Sequence, residues 1–217
     1  MKQIFAILFL TLSASLVGFS QNAGNTVTTL FIDNSGSLRS DLLRELEIAE
    51  AIISSASRHG RLSICYFGTP TESGLRFVKG TDWLEDRNSL TTHLDSVDTV
   101  GGLTALRDAM RSAAIGLSEV AVSEQGVDKR LIVITDGEDQ RSFFTTEQLL
   151  NTLKERKIRV SVVALYESPD VGLREGSFKL NAKAFVERIV KETNGRLVVR
   201  KKNQSAAKIA DELFKEQ

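Results

Sequence analysis

The sequence predicts an α/β fold: a doubly wound, mostly parallel sheet with helices on both faces and one antiparallel edge strand. Three observations carry that expectation. Stretches of strand and helix character alternate along nearly the whole chain. The run Leu131-Ile132-Val133-Ile134 is apolar without interruption, as a central parallel strand covered on both faces requires. Residues 74–80 are short, alternate in polarity and lie between Gly74 and Gly80, which suits a sheet edge.

The elements follow in order. Residues 26–32 (TVTTLFI) are β-branched and apolar and read as the first strand. Residues 38–56 carry Leu42, Leu46, Ala49, Ile53 and Ala56 at helical spacing, with acids and arginine assigned to the other face. Residues 62–67 are the second strand, and residues 84–97 a mixed helix after the edge strand. A Gly-Gly loop leads into a helix over 105–120, where Leu106, Ala109, Met110, Ala113, Leu117 and Val120 share a face. After the strand at 131–134 come a helix over 145–157 and a strand over 160–165. Residues 168–181 form the least regular stretch and read as a loop over the carboxyl edge of the sheet. Ala182, Phe185, Val186, Ile189 and Val190 mark a helix that Asn194-Gly195 ends. A last strand at 197–199 and a helix over 206–214 complete the pattern.

A chain of 217 residues is one domain's worth of core. With 41% apolar and 26% charged residues it is not a disordered chain. Lysine plus arginine equals aspartate plus glutamate at 28 each, so nothing global favours nucleic acid or an anionic membrane. Binding has to come from a local site.

The amino-terminal segment reads as a secretory signal peptide over residues 1–20, leaving residues 21–217 as the domain. Lys2 gives the positive start, residues 4–19 the apolar run, and Gly18 and Ser20 the small residues before a cut ahead of Gln21. The run is short for a membrane span, and no cysteine lies near the cut to accept a lipid. The expectation is a secreted or periplasmic protein with no stable membrane anchor after cleavage. Cys65 is the only cysteine, so no internal disulfide forms, and its apolar strand predicts a buried thiol.

Three segments carry the chemistry. Asp33-Asn34-Ser35-Gly36-Ser37 follows the first strand, Gly101-Gly102-Leu103-Thr104 precedes a helix, and Thr135-Asp136-Gly137 follows the apolar central strand. In an open parallel sheet such loops converge beyond the carboxyl ends of the strands. Asp33, Ser35, Ser37, Thr104 and Asp136 offer only oxygen donors. That set suits Mg²⁺, Mn²⁺ or Ca²⁺ rather than zinc or copper. Each piece alone has a plainer use, as a turn residue, a helix cap or an Asp-Gly turn. All three in this order, at these strand ends, point to a metal site.

With those residues in place, the chain resembles the von Willebrand factor A-type domains, whose fold is Rossmann-like. Asp33-Asn34-Ser35-Gly36-Ser37 matches the family's D-x-S-x-S motif. Gly102-Leu103-Thr104-Ala105-Leu106-Arg107-Asp108-Ala109 is similar to its threonine loop and following helix, and Ile134-Thr135-Asp136-Gly137-Glu138-Asp139 to its T-D-G segment. The resemblance runs from about residue 26 onward. It implies an intact metal-ion-dependent adhesion site. Ser35 and Ser37 would bind metal directly, Thr104 in the ligand-bound state, and Asp33 and Asp136 directly or through water. A partner's Asp or Glu would fill the last position.

The nearby residues have plainer expectations. Asp41 is a first-turn helix acid, since Ser40 stands where a second metal would need its neighbouring acid. Glu138 and Asp139 either ring the site with negative charge or are solvated. His59 and His93 are read as surface or capping residues, and the run Arg200-Lys201-Lys202, which ends a strand, as solvated. The chain is thus expected to be a protein-binding module and not an enzyme. The alternatives are a metal-dependent hydrolase, for which no Walker loop, HExxH or nucleophile elbow is present, and a structural subunit of an envelope complex.

Overall fold

The computed structural model describes residues 26–35, 38, 42–56, 60–67, 104–120, 126–165 and 177–215. They form β1 (Thr26–Asp33), α1 (Leu42–Ala56), β2 (Arg61–Phe67), α2 (Leu106–Val120), β3 (Asp128–Thr135), α3 (Thr146–Glu155), β4 (Ile158–Ala164), α4 (Ser177–Glu192), β5 (Leu197–Val199) and α5 (Ala206–Phe214). The strands make one sheet in the order β2-β1-β3-β4-β5, and every adjacent pair is parallel.

The apolar strands are buried on both faces because helices cover both. Alternate side chains divide between two layers. Val27, Phe31, Leu131, Val133, Val160 and Val162 pack with α2, α3 and α4. Leu30, Ile32, Ile132, Ile134 and Val163 pack with α1 and α5. This is the doubly wound α/β arrangement that the alternation predicts. The chain steps from β1 outward to β2 and then returns to place β3 on the other side of β1. That reversal sets a crevice at the carboxyl ends of β1 and β3, where open α/β sheets place ligands.

Local signals explain the element ends. Thr145 caps α3 in a reciprocal box with Gln148. Asn194, at φ 55, ends α4 where the Asn-Gly pair predicts. Gly195 then passes so close to β4 that an added Cβ would lie 1.7 Å from the Val160 carbonyl oxygen.

Some expectations need correcting. α4 begins at Ser177, so residues 177–181, expected as loop, are helical. Leu180 is 68% exposed, so the apolar spacing that marks the helix starts only at Ala182. On α1, Glu45 is fully buried beside Ile48, Ala49, Ile52 and Ile53, whereas Leu42 and Leu46 are half-buried. Ala49, Ile53 and Ala56 of the expected stripe are buried, and packing on α5 as well as on the sheet adds Glu45, Ile48 and Ile52 to the buried face. Arg200 is buried rather than solvated, its N–H donating to the Ala164 carbonyl beyond β5. Cys65 is free and half-buried against the core, and burial pushes its thiol up to about 11, so it stays a thiol.

The leader at 1–20, the edge strand at 74–80, the helix at 84–97, Asp41 and both histidines lie outside the described residues. Among the described residues, no helix is long and apolar enough to cross a membrane.

Candidate metal centre

β1 and β3 are neighbours in the sheet, with Ile32 opposite Ile134. The acids that follow these positions, Asp33 and Asp136, therefore emerge side by side from the carboxyl edge. Both are fully buried. Each is held by a turn of the same kind: Asp33 Oδ1 accepts from the Ser35 N–H at 3.0 Å, and Asp136 Oδ1 from the Glu138 N–H at 2.9 Å. Between them stands Thr135. Its hydroxyl donates to Asp33 Oδ2 at 2.6 Å and accepts from the Gly137 N–H at 3.0 Å.

Burial first, and the Asp136 carboxylate second, push the Asp33 carboxyl up to about 8; the hydrogen bonds from Thr135 and Ser35 pull the other way and are outweighed. Two buried carboxyls that disfavour each other's ionisation are a pair that a divalent cation would neutralise. The rest of the donor set fits such an ion. Ser35 is buried beside Asp33. Thr104 is buried at the mouth of α2. Its carbonyl accepts from the Gln140 and Arg141 N–H groups at 2.8 and 3.0 Å, which ties it to the loop that carries Asp136. The structure thus brings together Asp33, Ser35 and Asp136, with Thr104 bonded to the same loop. Ser37 lies outside the described residues. Among the described residues no cluster of three or more His, Cys, Asp or Glu exists.

The loop from β3 to α3 also meets the helix that starts beyond Thr104. Asp139 and Ser142 take the first-turn N–H groups of Arg107 and Asp108, so Thr104 is not needed as a cap there. Asp139 is ion-paired with Arg107, and Glu138 is buried and accepts from Gln140 Nε2 at 2.7 Å. Neither is a solvated loop acid. Gly137 sits at φ +80, where an added Cβ would meet Val186 and the Ala182 carbonyl at 3.0 and 3.2 Å. The sequence reading gave no task to Thr135, Asp108 or Ser142. A hydroxyl before the Asp-Gly pair was a visible signal for Thr135; the other two carried none.

Comparison with known proteins identifies the family and the fold. Residues 29–212 match the model of the von Willebrand factor type A domain. No curated protein matches the chain. Similar solved structures include an aerotolerance-related membrane protein from Bacteroides fragilis NCTC 9343, with multiple mutations to serines, at 19% identity and a TM-score of 0.59, covering 87% of this chain and 96% of that one. BatB from Bacteroides thetaiotaomicron is similar at 19% identity and a TM-score of 0.60, covering 86% and 96%. A von Willebrand factor type A structure from Catenulispora acidiphila has 15% identity and a TM-score of 0.60, covering 87% of this chain and 41% of that one. At such identities the likeness is one of fold. The family match spans most of the chain, and this protein belongs to the von Willebrand factor type A domain family.

Proposed function

We propose that the protein is an exported binding module. A divalent cation, Mg²⁺ or else Mn²⁺ or Ca²⁺, would be held by Asp33, Ser35, Ser37, Thr104 and Asp136. A protein partner would dock there through an Asp or Glu carboxylate. When bound, such an ion supplies an electrophilic position for an anionic oxygen. Asp33 and Asp136 neutralise charge, Ser35 and Ser37 add neutral oxygens, and Thr104 orients the open side. Domains of this family commonly bind protein partners, often hold a divalent metal, and are typically interaction modules rather than enzymes.

The observation that carries this reading is the adjacency of Asp33 and Asp136, both buried and each fixed by backbone donors. A core would not retain two neighbouring carboxyls for packing.

Calorimetric titration with Mn²⁺ tests it. Asp33→Ala and Asp136→Ala should abolish binding while the fold persists in a thermal melt. Thr104→Ala should weaken partner binding more than it weakens Mn²⁺ binding, by about tenfold for a lost contact of about 1–3 kcal/mol. The partner is to be isolated by affinity capture in Mg²⁺ against EDTA. Unchanged Mn²⁺ affinity in both aspartate variants would overturn the site; partner binding that survives EDTA would move the interface elsewhere. Export is tested separately. The mature chain should begin at or near Gln21, and intact Met1 in a membrane fraction would refute the leader.

A further inference from the structure

We propose a second binding site at the opposite pole of the sheet: a basic cavity that takes a phosphate-type anion carried on an apolar body. The cavity has a volume of about 360 Å³ and opens at the amino-terminal ends of β3 and β4, where α5 ends. That volume falls within the range of small-molecule sites, about 300–1,000 Å³. Nothing in the proposed metal-dependent docking uses it.

Its lining is one-sided in charge. Arg130, Arg159, Arg196 and Lys215 face it, and no acid does among the described residues. Asp128 reaches Arg130 at 2.7 Å and Arg159 at 3.6 Å from outside the cavity. Among the described residues one carboxylate stands against four cations there, in a chain whose formal net charge is zero. The carboxyl end of α5 takes part of that positive charge, since Arg196 Nη2 donates to the Lys215 carbonyl at 2.8 Å. Arg130 and Arg159 stand on β3 and β4. Guanidinium groups present paired N–H donors matched to phosphate oxygens.

The remaining walls combine Ser161, Asn194 and Gly195 with three apolar side chains. Ile132, Leu213 and Phe214 line the cavity beside the cations. Ile132 and Leu213 belong to the buried core. The far wall is the Asn194-Gly195-Arg196 turn, pressed against β4 by the close approach of Gly195 to Val160 and tied by the Arg196 N–H to Ser161 Oγ at 3.1 Å. A preformed wall spares a ligand the cost of ordering it. An inorganic anion alone would leave the apolar surface unused. A phosphate ester with an alkyl or aryl group would use both.

The source of such an ester is either a soluble metabolite or a lipid headgroup, and one set of measurements separates them. Octyl phosphate below its micelle concentration, and inorganic phosphate, are titrated into the mature protein in EDTA, so that the metal centre plays no part. Octyl phosphate should bind more tightly than inorganic phosphate, shift the amide resonances of Gly195 and Lys215, and weaken as salt rises. The double variant Arg159→Gln, Arg196→Gln should lose tenfold or more in affinity. Arg159 is exposed and Arg196 half-buried, and an unchanged melt confirms that the variant is folded. Retention on phosphatidylglycerol but not phosphatidylcholine vesicles, together with octyl phosphate binding, assigns the ester to a lipid. Octyl phosphate binding without vesicle retention assigns it to a soluble molecule. If octyl phosphate does not bind in the millimolar range, or binds the double variant equally well, the site is refuted whatever the vesicles do.

Discussion

Asp139 Oδ2 accepts from both the backbone N–H and the Nε–H of Arg107, at 2.8 and 3.0 Å. A carboxylate of the β3–α3 loop thereby caps a helix that begins more than thirty residues earlier. The exchange is reciprocal. The Asp108 carboxylate accepts from the Phe143 and Phe144 N–H groups at 2.9 Å each. With the Gln140 and Arg141 bonds to the Thr104 carbonyl, these contacts clasp the loop bearing Asp136 to the start of α2.

Asp139→Ala should open that clasp. It removes the acceptor for the Arg107 N–H at a partly buried helix end, at a cost of about 1–3 kcal/mol. Amide exchange at Gln140 and Arg141 should accelerate, while exchange in β4 stays slow. Hydrogen exchange read by mass spectrometry decides this. Equal protection of the loop in variant and wild type would mean that Thr104 and Asp136 are positioned independently.

Thr135→Val tests the bridge between the acids. The side chain keeps its shape but loses the donor to Asp33 and the acceptor for the Gly137 N–H. Stability should fall by about 1–3 kcal/mol. Mn²⁺ affinity should fall too, because an ionised Asp33 loses a hydrogen bond that favours its charge. Urea unfolding and Mn²⁺ calorimetry measure the two effects. Retention of both would show that the hydroxyl is incidental.

The raised Asp33 carboxyl sets a pH dependence. An acid that ionises less readily folded than unfolded keeps its proton in the folded state. Its contribution to stability is complete below the ordinary carboxylate range and is lost as pH rises through about 8. The EDTA-treated protein should therefore melt lower at about pH 9 than at about pH 6, if Asp33 dominates that window. Saturating Mg²⁺ should lift the alkaline end most, since proton and cation compete for the same carboxyl. Melting curves with EDTA and with Mg²⁺ check this; a Mg²⁺ increment that shrinks toward alkaline pH contradicts it.

Phe143 is 86% exposed on the clasped loop. Phe144 packs edge-on to it at 5.7 Å and carries the Arg111 guanidinium 4.2 Å over its ring. A large apolar side chain held out on an anchored loop is the usual make-up of an interface hot spot. Phe143→Ala should leave the melt and Mn²⁺ affinity unchanged but weaken the captured partner by about tenfold or more. Surface plasmon resonance with wild type and variant gives the answer. Equal partner affinity would remove Phe143 from the interface.

Much of this architecture was legible because it rests on local pattern. The unbroken apolar run of β3 matches a doubly covered strand, and the Asn194-Gly195 pair matches a helix end. The adjacency of Asp33 and Asp136 was legible because Asp33 ends one strand and Asp136 directly follows another. What the sequence hid depends on tertiary packing. Glu45 and Arg200 are buried although charged, because neighbouring elements close over them. Ser142 and Asp108 look like ordinary polar residues until the fold sets a loop against a helix start. The first turn of α4 was hidden because Leu180 faces water and breaks the expected spacing.

The place of β1 between β2 and β3 bears on how the chain is made. Its contacts with β2 span 34 residues of sequence, and those with β3 span 102. Closing the longer loop costs only about 1 kcal/mol more in chain entropy. The larger difference is one of timing, because on a ribosome β3 emerges long after β2. Until then one side of β1 is a bare, apolar row of unpaired amides and carbonyls, the kind of surface that recruits other chains. The last strand to cover that row is also the one that delivers Thr135 and Asp136 to Asp33. The acid pair is therefore assembled by the same step that removes the aggregation hazard. A preparation's capacity for Mn²⁺ would then count the molecules that have completed that step.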